Sequence, residues 1–224
     1  MPLPVLDKLQ AAILHRVGEV PESSSFYLTG GTALAHFYLR HRQSRDLDFF
    51  TATEELVDPF SRRLEEALRA AGLVVQRQRG VHSFVELLAQ RGDEATIIHV
   101  AQDAAFRFEP TRAFPDYPHV QVDSLVDIAS NKLLALYGRA TLRDFIDVYA
   151  LITKGHFTAN VLVEKAKVKD PGFDLYWLGV AFERIKTFRE DAPDLLLLLE
   201  PIPFPDLLAF FTRWRERIAT SLGA

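Results

Sequence analysis

Residues 26–50, FYLTGGTALAHFYLRHRQSRDLDFF, constrain the fold more than any other part of the chain. Phe26, Tyr27 and Leu28 form a short β-favouring run that Gly30 and Gly31 interrupt. Thr32 then stands where a helix N-cap would stand, ahead of Ala33, Leu34, Phe37, Tyr38 and His41 at helical spacing. A second strand is predicted over 46–50. Side chains alternate across a strand, so Asp46 and Asp48 share one face and Leu47 and Phe49 the other.

Two carboxylates on one face repel, and one is pushed toward its neutral form unless a cation offsets them. A pair of hard oxygen ligands suits Mg²⁺, which keeps several waters and takes its remaining ligands from substrate phosphates. The glycine pair has a matching use, because bare Gly30 and Gly31 let backbone N–H groups approach a phosphate at a helix N-terminus. The plain alternative is a tight turn and two solvated aspartates at a sheet edge. Either motif alone is common; in this order, on these elements, they favour phosphoryl chemistry.

Together the Gly-Gly-Thr turn, the helix and the run Arg42, Ser44, Asp46, Asp48 resemble the nucleotidyltransferase superfamily, and within it the AbiEii/AbiGii toxin family of type IV toxin–antitoxin systems. The resemblance implies an α/β (α+β) fold: a nucleotidyltransferase-like mixed sheet core with flanking helices and a helical C-terminal part. It implies transfer of a nucleotide from an NTP with one or two Mg²⁺ ions, held by Asp46 and Asp48, to an acceptor hydroxyl of a tRNA or a protein. It also implies a cognate antitoxin as partner. By the same resemblance the triphosphate lies over Gly30, Gly31, Thr32 and Ser44.

The 224 residues suffice for one large domain, or for a core domain with a smaller helical one. We expect a nucleotidyltransferase-like core over 1–120 and a helical domain over 121–224 that completes the cleft. The absence of cysteine rules out disulfides and thiolate chemistry. A net charge of −4 argues against nucleic-acid binding through overall charge, although Arg40, His41, Arg42 and Arg45 precede the second strand and Arg62, Arg63, Arg69, Arg77 and Arg79 follow it. The first ten residues lack the pattern of a signal peptide, and the longest apolar run, 195–199, is too short to span a bilayer. The expected location is therefore cytoplasmic, away from membranes.

Residues 3–16 read as a helix with Leu6, Leu9, Ile13 and Val17 as its stripe, and a second helix starts near Thr53 and ends at Gly72. Strand candidates at 73–78, 83–89 and 95–101 form an antiparallel meander beside the first two strands. A third carboxylate would, by the resemblance, project from the last of these toward the aspartate pair, and the aligned residue is His99. Glu86 and Asp103 are possible substitutes; His99 could itself be a nitrogen ligand, a general base or a structural residue. Residues 104–122, rich in proline and aromatics, read as a connector with room for one short strand.

A second block spans 123–153. Along a helix over 124–138, Leu125, Ile128, Ala129, Leu133 and Leu136 form the buried stripe, and Lys132 falls on or beside it. A charge there needs a partner or a bound anion, unless its stem lies along the core while the ammonium reaches water. Thr141 and Asp144 have capping-box spacing at the start of the next helix. The run Lys132, Arg139, Arg143, Asp144, Asp147 also resembles the family's second block. That resemblance implies Lys132 on the triphosphate, Arg139 and Arg143 supporting it, and Asp144 or Asp147 orienting the lysine or contacting the nucleotide, with Asp144 the better match for a catalytic role. Helices are predicted over 159–167, 174–188 and 205–221, with Tyr176, Trp177, Val180, Ala181, Phe210, Phe211 and Trp214 in the core. No Gly-x4-Gly-Lys-Ser/Thr loop and no Gly-x-Ser-x-Gly elbow is present. The reading is an Mg²⁺-dependent nucleotidyltransferase. The alternative is a nucleotide-binding protein of the same fold that has lost transfer activity, with His99 marking the loss.

Overall fold

The computed structural model describes residues 5–223; the start of the first predicted helix, residues 3 and 4, lies outside them. Helix α1 (Lys8–Val17) opens on a capping box in which Asp7 accepts from the Gln10 amide, and it buries Leu9, Ile13, Leu14 and Val17. Strand β1 (Tyr27–Thr29) leads into α2 (Gly30–Ala33), which continues as one π-helical stretch, Leu34–Leu39. Arg40, at φ +49, ends that stretch. Then come β2 (Asp46–Thr51), α3 (Val57–Ala70), the hairpins of β3 (Val74–Val81), β4 (Phe84–Arg91) and β5 (Glu94–Gln102), and finally β6 (Arg112–Phe114) and β7 (Tyr117–Val122).

These seven strands form one mixed sheet in the order β3-β4-β5-β2-β1-β7-β6. The meander β3-β4-β5 is antiparallel as expected, and β5 joins β2 in parallel register. Period-2 alternation decides which face is covered: Leu47 and Phe49 of β2 are buried while Asp46 and Asp48 are only partly so. Phe60 of α3 closes on the covered face, its ring stacked on Phe26 at 3.9 Å and tilted against Phe49. The 104–122 stretch differs from the expected connector. It supplies two strands, because Val120 and Val122 alternate inward and β7 pairs in parallel with β1.

The chain divides at Leu125 and Val126 into two compact units. After α4 (Leu125–Gly138), the second unit is helical: α5 (Leu142–Thr153), α6 (Ala159–Lys169), α7 (Leu175–Glu183) and α8 (Phe204–Leu222). Its centre is aromatic, with Phe182 and Phe211 at 5.1 Å and Phe182 and Trp214 at 4.9 Å. Three residues expected in this core are not there. Tyr176, Trp177 and Val180 are 59%, 58% and 44% exposed, because α7 turns Leu178, Gly179 and Phe182 inward instead. Among the described residues, no helix is long and apolar enough to cross a membrane.

Candidate active site

The sheet face opposite Leu47 and Phe49 carries a polar ladder that the register builds. Asp48 of β2 lies opposite His99 of β5, and His99 lies opposite Glu86 of β4. Residues directly opposite in neighbouring strands share a face, so the three side chains meet. His99 Nδ1 is 2.8 Å from Asp48 Oδ1, and His99 Nε2 is 3.3 Å from Glu86 Oε2. All three side chains keep an edge in solvent, at 22% for Asp48, 24% for His99 and 32% for Glu86. The hydrogen bond to Asp48 raises the His99 pKa above the ordinary histidine value against the effect of burial, and the negative charges of Asp48 and Asp46 and the bond to Glu86 act in the same sense. With a carboxylate at each nitrogen, the ring is suited to the imidazolium form, donating both ways.

His99 connects to Glu86, one of the possible substitutes for the expected third carboxylate. Asp103 is engaged elsewhere: its Oδ2 accepts the Tyr27 hydroxyl at 2.7 Å, and its Oδ1 accepts from the Ala104 amide.

The glycine turn fits against this ladder. Gly30 has φ +71, a conformation that favours glycine, and a Cβ there would lie 2.1 Å from Asp48 Oδ2. At Gly31 a Cβ would come within 2.5 Å of an Arg42 guanidinium nitrogen and 2.9 Å of Ser44 Oγ. The missing side chains therefore admit Asp48, Arg42 and Ser44 to the turn. Arg42 is buried and donates to the Gln43 carbonyl at 2.8 Å. Thr32 is not the N-cap expected of it. The cap position falls on Thr29, and the Thr32 hydroxyl donates to the Asp46 carbonyl at 2.5 Å, tying the helix to β2. Gln10 of α1, a residue without a role in the sequence reading, fixes the approach to β2 by donating to the Ser44 carbonyl at 2.8 Å.

Asp123 was also not singled out. It follows β7, is 1% exposed, and accepts hydrogen bonds from the Thr29 hydroxyl at 2.8 Å and from Arg107. Arg107 in turn lies 3.9 Å above the Tyr27 ring. Thr29 opposes Asp48 in the β1–β2 register, so the polar run continues from Asp48 through Thr29 to Asp123. The signal was faint: an aspartate after the alternating apolar Val120 and Val122, ahead of a helix.

In the second unit, Lys132 is buried and its Nζ is 2.8 Å from Asp147 Oδ2, with 9% and 0% of the two side chains exposed. Asp147, which had the weaker claim from sequence, is thus the residue that touches the lysine. Asp144 is held at the start of α5. It takes two hydrogen bonds from Arg139, at 2.9 and 2.8 Å, and two from Thr141, by the hydroxyl at 2.6 Å and the amide at 3.2 Å. Burial alone would raise the Asp144 pKa, but the bonds from Arg139 and Thr141 and the charges of Lys132 and Arg139 outweigh it and hold the carboxyl below its usual range. Arg143 Nε lies 3.5 Å from Asp194 Oδ1, on a half-exposed surface.

Asp46 and Asp48 are an oxygen donor set that fits a hard divalent cation completed by water and phosphate. Among the described residues, no group of three or more His, Asp or Glu is placed to hold a metal ion.

The fold is that of nucleotidyltransferases. MenT4, a nucleotidyltransferase toxin from Mycobacterium tuberculosis H37Rv, superposes with a TM-score of 0.53 at 17% identity over 94% of this chain and 85% of that one. JHP933 from Helicobacter pylori does so with a TM-score of 0.56 at 18% identity, over 96% and 91%. The sequence is 32% identical over 216 residues to the protein aq_aa25 of Aquifex aeolicus (strain VF5), covering 93% of this chain and 95% of that protein. Residues 12–200 match the model of the nucleotidyl transferase AbiEii toxin of type IV toxin–antitoxin systems, and the chain belongs to this family.

Proposed function

We propose that the chain is an Mg²⁺-dependent nucleotidyltransferase that moves a nucleotide from an NTP to an acceptor hydroxyl of a tRNA or a protein. In this reading it acts in the cytoplasm, as a toxin with a cognate antitoxin. The observation that carries the reading is that Asp46 and Asp48 share one half-buried sheet face, with Gly30 bare against Asp48. Asp46 and Asp48 would hold the metal, which when bound offsets charge on the phosphates and polarises the α-phosphate. Gly30, Gly31 and Thr32 would present the turn to the phosphates, with Ser44 and Arg42 stiffening it from behind. Lys132, oriented by Asp147, would supply positive charge to the leaving pyrophosphate. Asp144 would fix Arg139 at the head of α5, and Arg139 and Arg143 would support the nucleotide from there.

Purified protein incubated with each α-³²P-labelled NTP, Mg²⁺ and total tRNA tests the proposal. We expect label transfer by wild type and none by the Asp46→Ala/Asp48→Ala variant; wild type that transfers to no RNA or protein acceptor contradicts it. One observation favours a second reading, a nucleotide-binding protein without transfer: His99, where the resemblance leads one to expect a third carboxylate, is engaged by Asp48 and Glu86. Calorimetry showing NTP binding with no label transfer is the result this second reading predicts.

A further inference from the structure

We propose that Asp123 keeps the glycine turn open to phosphate by drawing the Thr29 hydroxyl away from it. The inference rests on the nucleotidyltransferase reading and deepens it, adding a positioning residue to the site. Thr29 stands at the N-cap of the helical segment over 30–39. A threonine there ordinarily turns its hydroxyl oxygen back to accept from the second or third amide of the helix. In this chain those amides belong to Gly31 and Thr32, part of the turn that would face the triphosphate. A capping oxygen and a phosphate oxygen compete for the same N–H groups. Thr29 makes no cap bond; its hydroxyl donates instead to Asp123 Oδ2 at 2.8 Å. The Thr32 hydroxyl is engaged as well, with the Asp46 carbonyl. Neither threonine side chain therefore bonds the amides of the turn.

Asp123 is fixed for this task from several sides. Parallel pairing of β1 with β7 sets Val122 beside Leu28, and the Asp123 amide donates to the Leu28 carbonyl at 2.9 Å, which brings its side chain to Thr29. The carboxylate is buried and takes a charged hydrogen bond from Arg107. The Asp123 carbonyl accepts the Tyr38 hydroxyl at 2.7 Å, so this one residue also holds the far end of the helical segment. A hydrogen bond to a charged group is roughly twice as strong as a neutral one. The Thr29 rotamer that serves the Asp123 carboxylate is therefore favoured over the one that would cap.

The test measures affinity rather than turnover. The full chain with Mg²⁺ is titrated by calorimetry with the analogues of ATP, GTP, CTP and UTP that carry a methylene between the α and β phosphorus atoms, and the tightest is carried through the variants. Asp123→Ala frees the Thr29 hydroxyl to cap, and we expect the analogue to bind about fivefold more weakly than to wild type, the worth of one cap bond. Thr29→Val has no hydroxyl, so Thr29→Val/Asp123→Ala should regain wild-type affinity although it is the more heavily altered chain. Should Asp123→Ala fail to fold by circular dichroism, Arg107→Met is added to both Asp123 variants so that no buried charge is left unpaired, and the same loss and recovery are expected. Wild-type affinity in the folded Asp123→Ala chain would overturn the role of Asp123. So would equal weakness with and without Thr29→Val, which a merely structural aspartate predicts. Either result leaves the nucleotidyltransferase reading standing. No analogue bound by wild type would overturn that reading and this inference together.

Discussion

At Gly30 two demands coincide: a backbone φ of +71, and a carboxylate oxygen 2.1 Å from where a Cβ would stand. Gly72 separates them, since it has φ +82 with nothing within 4 Å of its added Cβ. An alanine at either position meets the left-handed penalty of roughly 1–2 kcal/mol. Only at Gly30 must Asp48 also move, and displacing a reacting group by about 1 Å costs on the order of 100-fold in rate. We therefore expect Gly72→Ala to lower stability in urea while transferring label like wild type. Gly30→Ala should lose at least about 100-fold in transfer at a comparable stability loss. Near-wild-type transfer by Gly30→Ala would contradict the placement of Asp48. Of the residues at this site, Gly30, Gly31, Asp46 and Asp48 were legible because a glycine pair and a period-2 carboxylate pair carry their geometry in their spacing. Thr29 and Asp123 were not. Their pairing joins residues 94 positions apart, through a parallel strand contact that no local pattern announces.

Between α4 and α5 a buried ion pair, Lys132 with Asp147, decides what a substitution there reports. Removing one partner leaves an uncompensated buried charge and costs about 3–5 kcal/mol, whereas apolar replacement of both can be close to neutral. Lys132→Met should therefore destabilise the protein by about 3 kcal/mol, and Lys132→Met/Asp147→Leu should recover most of that loss. If the lysine serves the triphosphate, the double variant stays inactive in label transfer despite its recovered stability. Wild-type transfer by the stable double variant would make the lysine structural. The sequence showed a lysine on or beside an apolar stripe, needing a partner, a bound anion or a route to water, and it offered two aspartates. Asp144 and Asp147 are three residues apart on α5, on nearly the same face, so the choice rests on how α4 and α5 cross and not on spacing. Capping chemistry at Thr141 and the Arg139 fork take Asp144, leaving Asp147 for Lys132.

At the scale of the molecule, the sheet core and the helical second unit were both visible in hydrophobic period. The antiparallel meander and the β2 alternation follow from it directly. The two places where the pattern misled have physical reasons. Prolines and aromatics over 104–122 hid β6 and β7; β6 lies at the sheet edge, and Pro118 of β7 precedes the residues paired with β1, Gln121 and Val122. On α7, apolar side chains lie on more than one face, and only Leu178 and Phe182 carry theirs into the core of the second unit. We propose that the two compact units correspond to the nucleotidyltransferase core and its helical partner domain. In the proposed reaction the acceptor hydroxyl attacks the α-phosphorus of an NTP and pyrophosphate leaves. Mass spectrometry of the acceptor after reaction with unlabelled NTP and Mg²⁺ tests this most directly. We expect a mass increase of one nucleotidyl group (a nucleoside monophosphate less water) with an equal amount of pyrophosphate released, both lost in Asp46→Ala/Asp48→Ala. An increase of a single phosphate, or an unchanged acceptor with intact NTP, would contradict it.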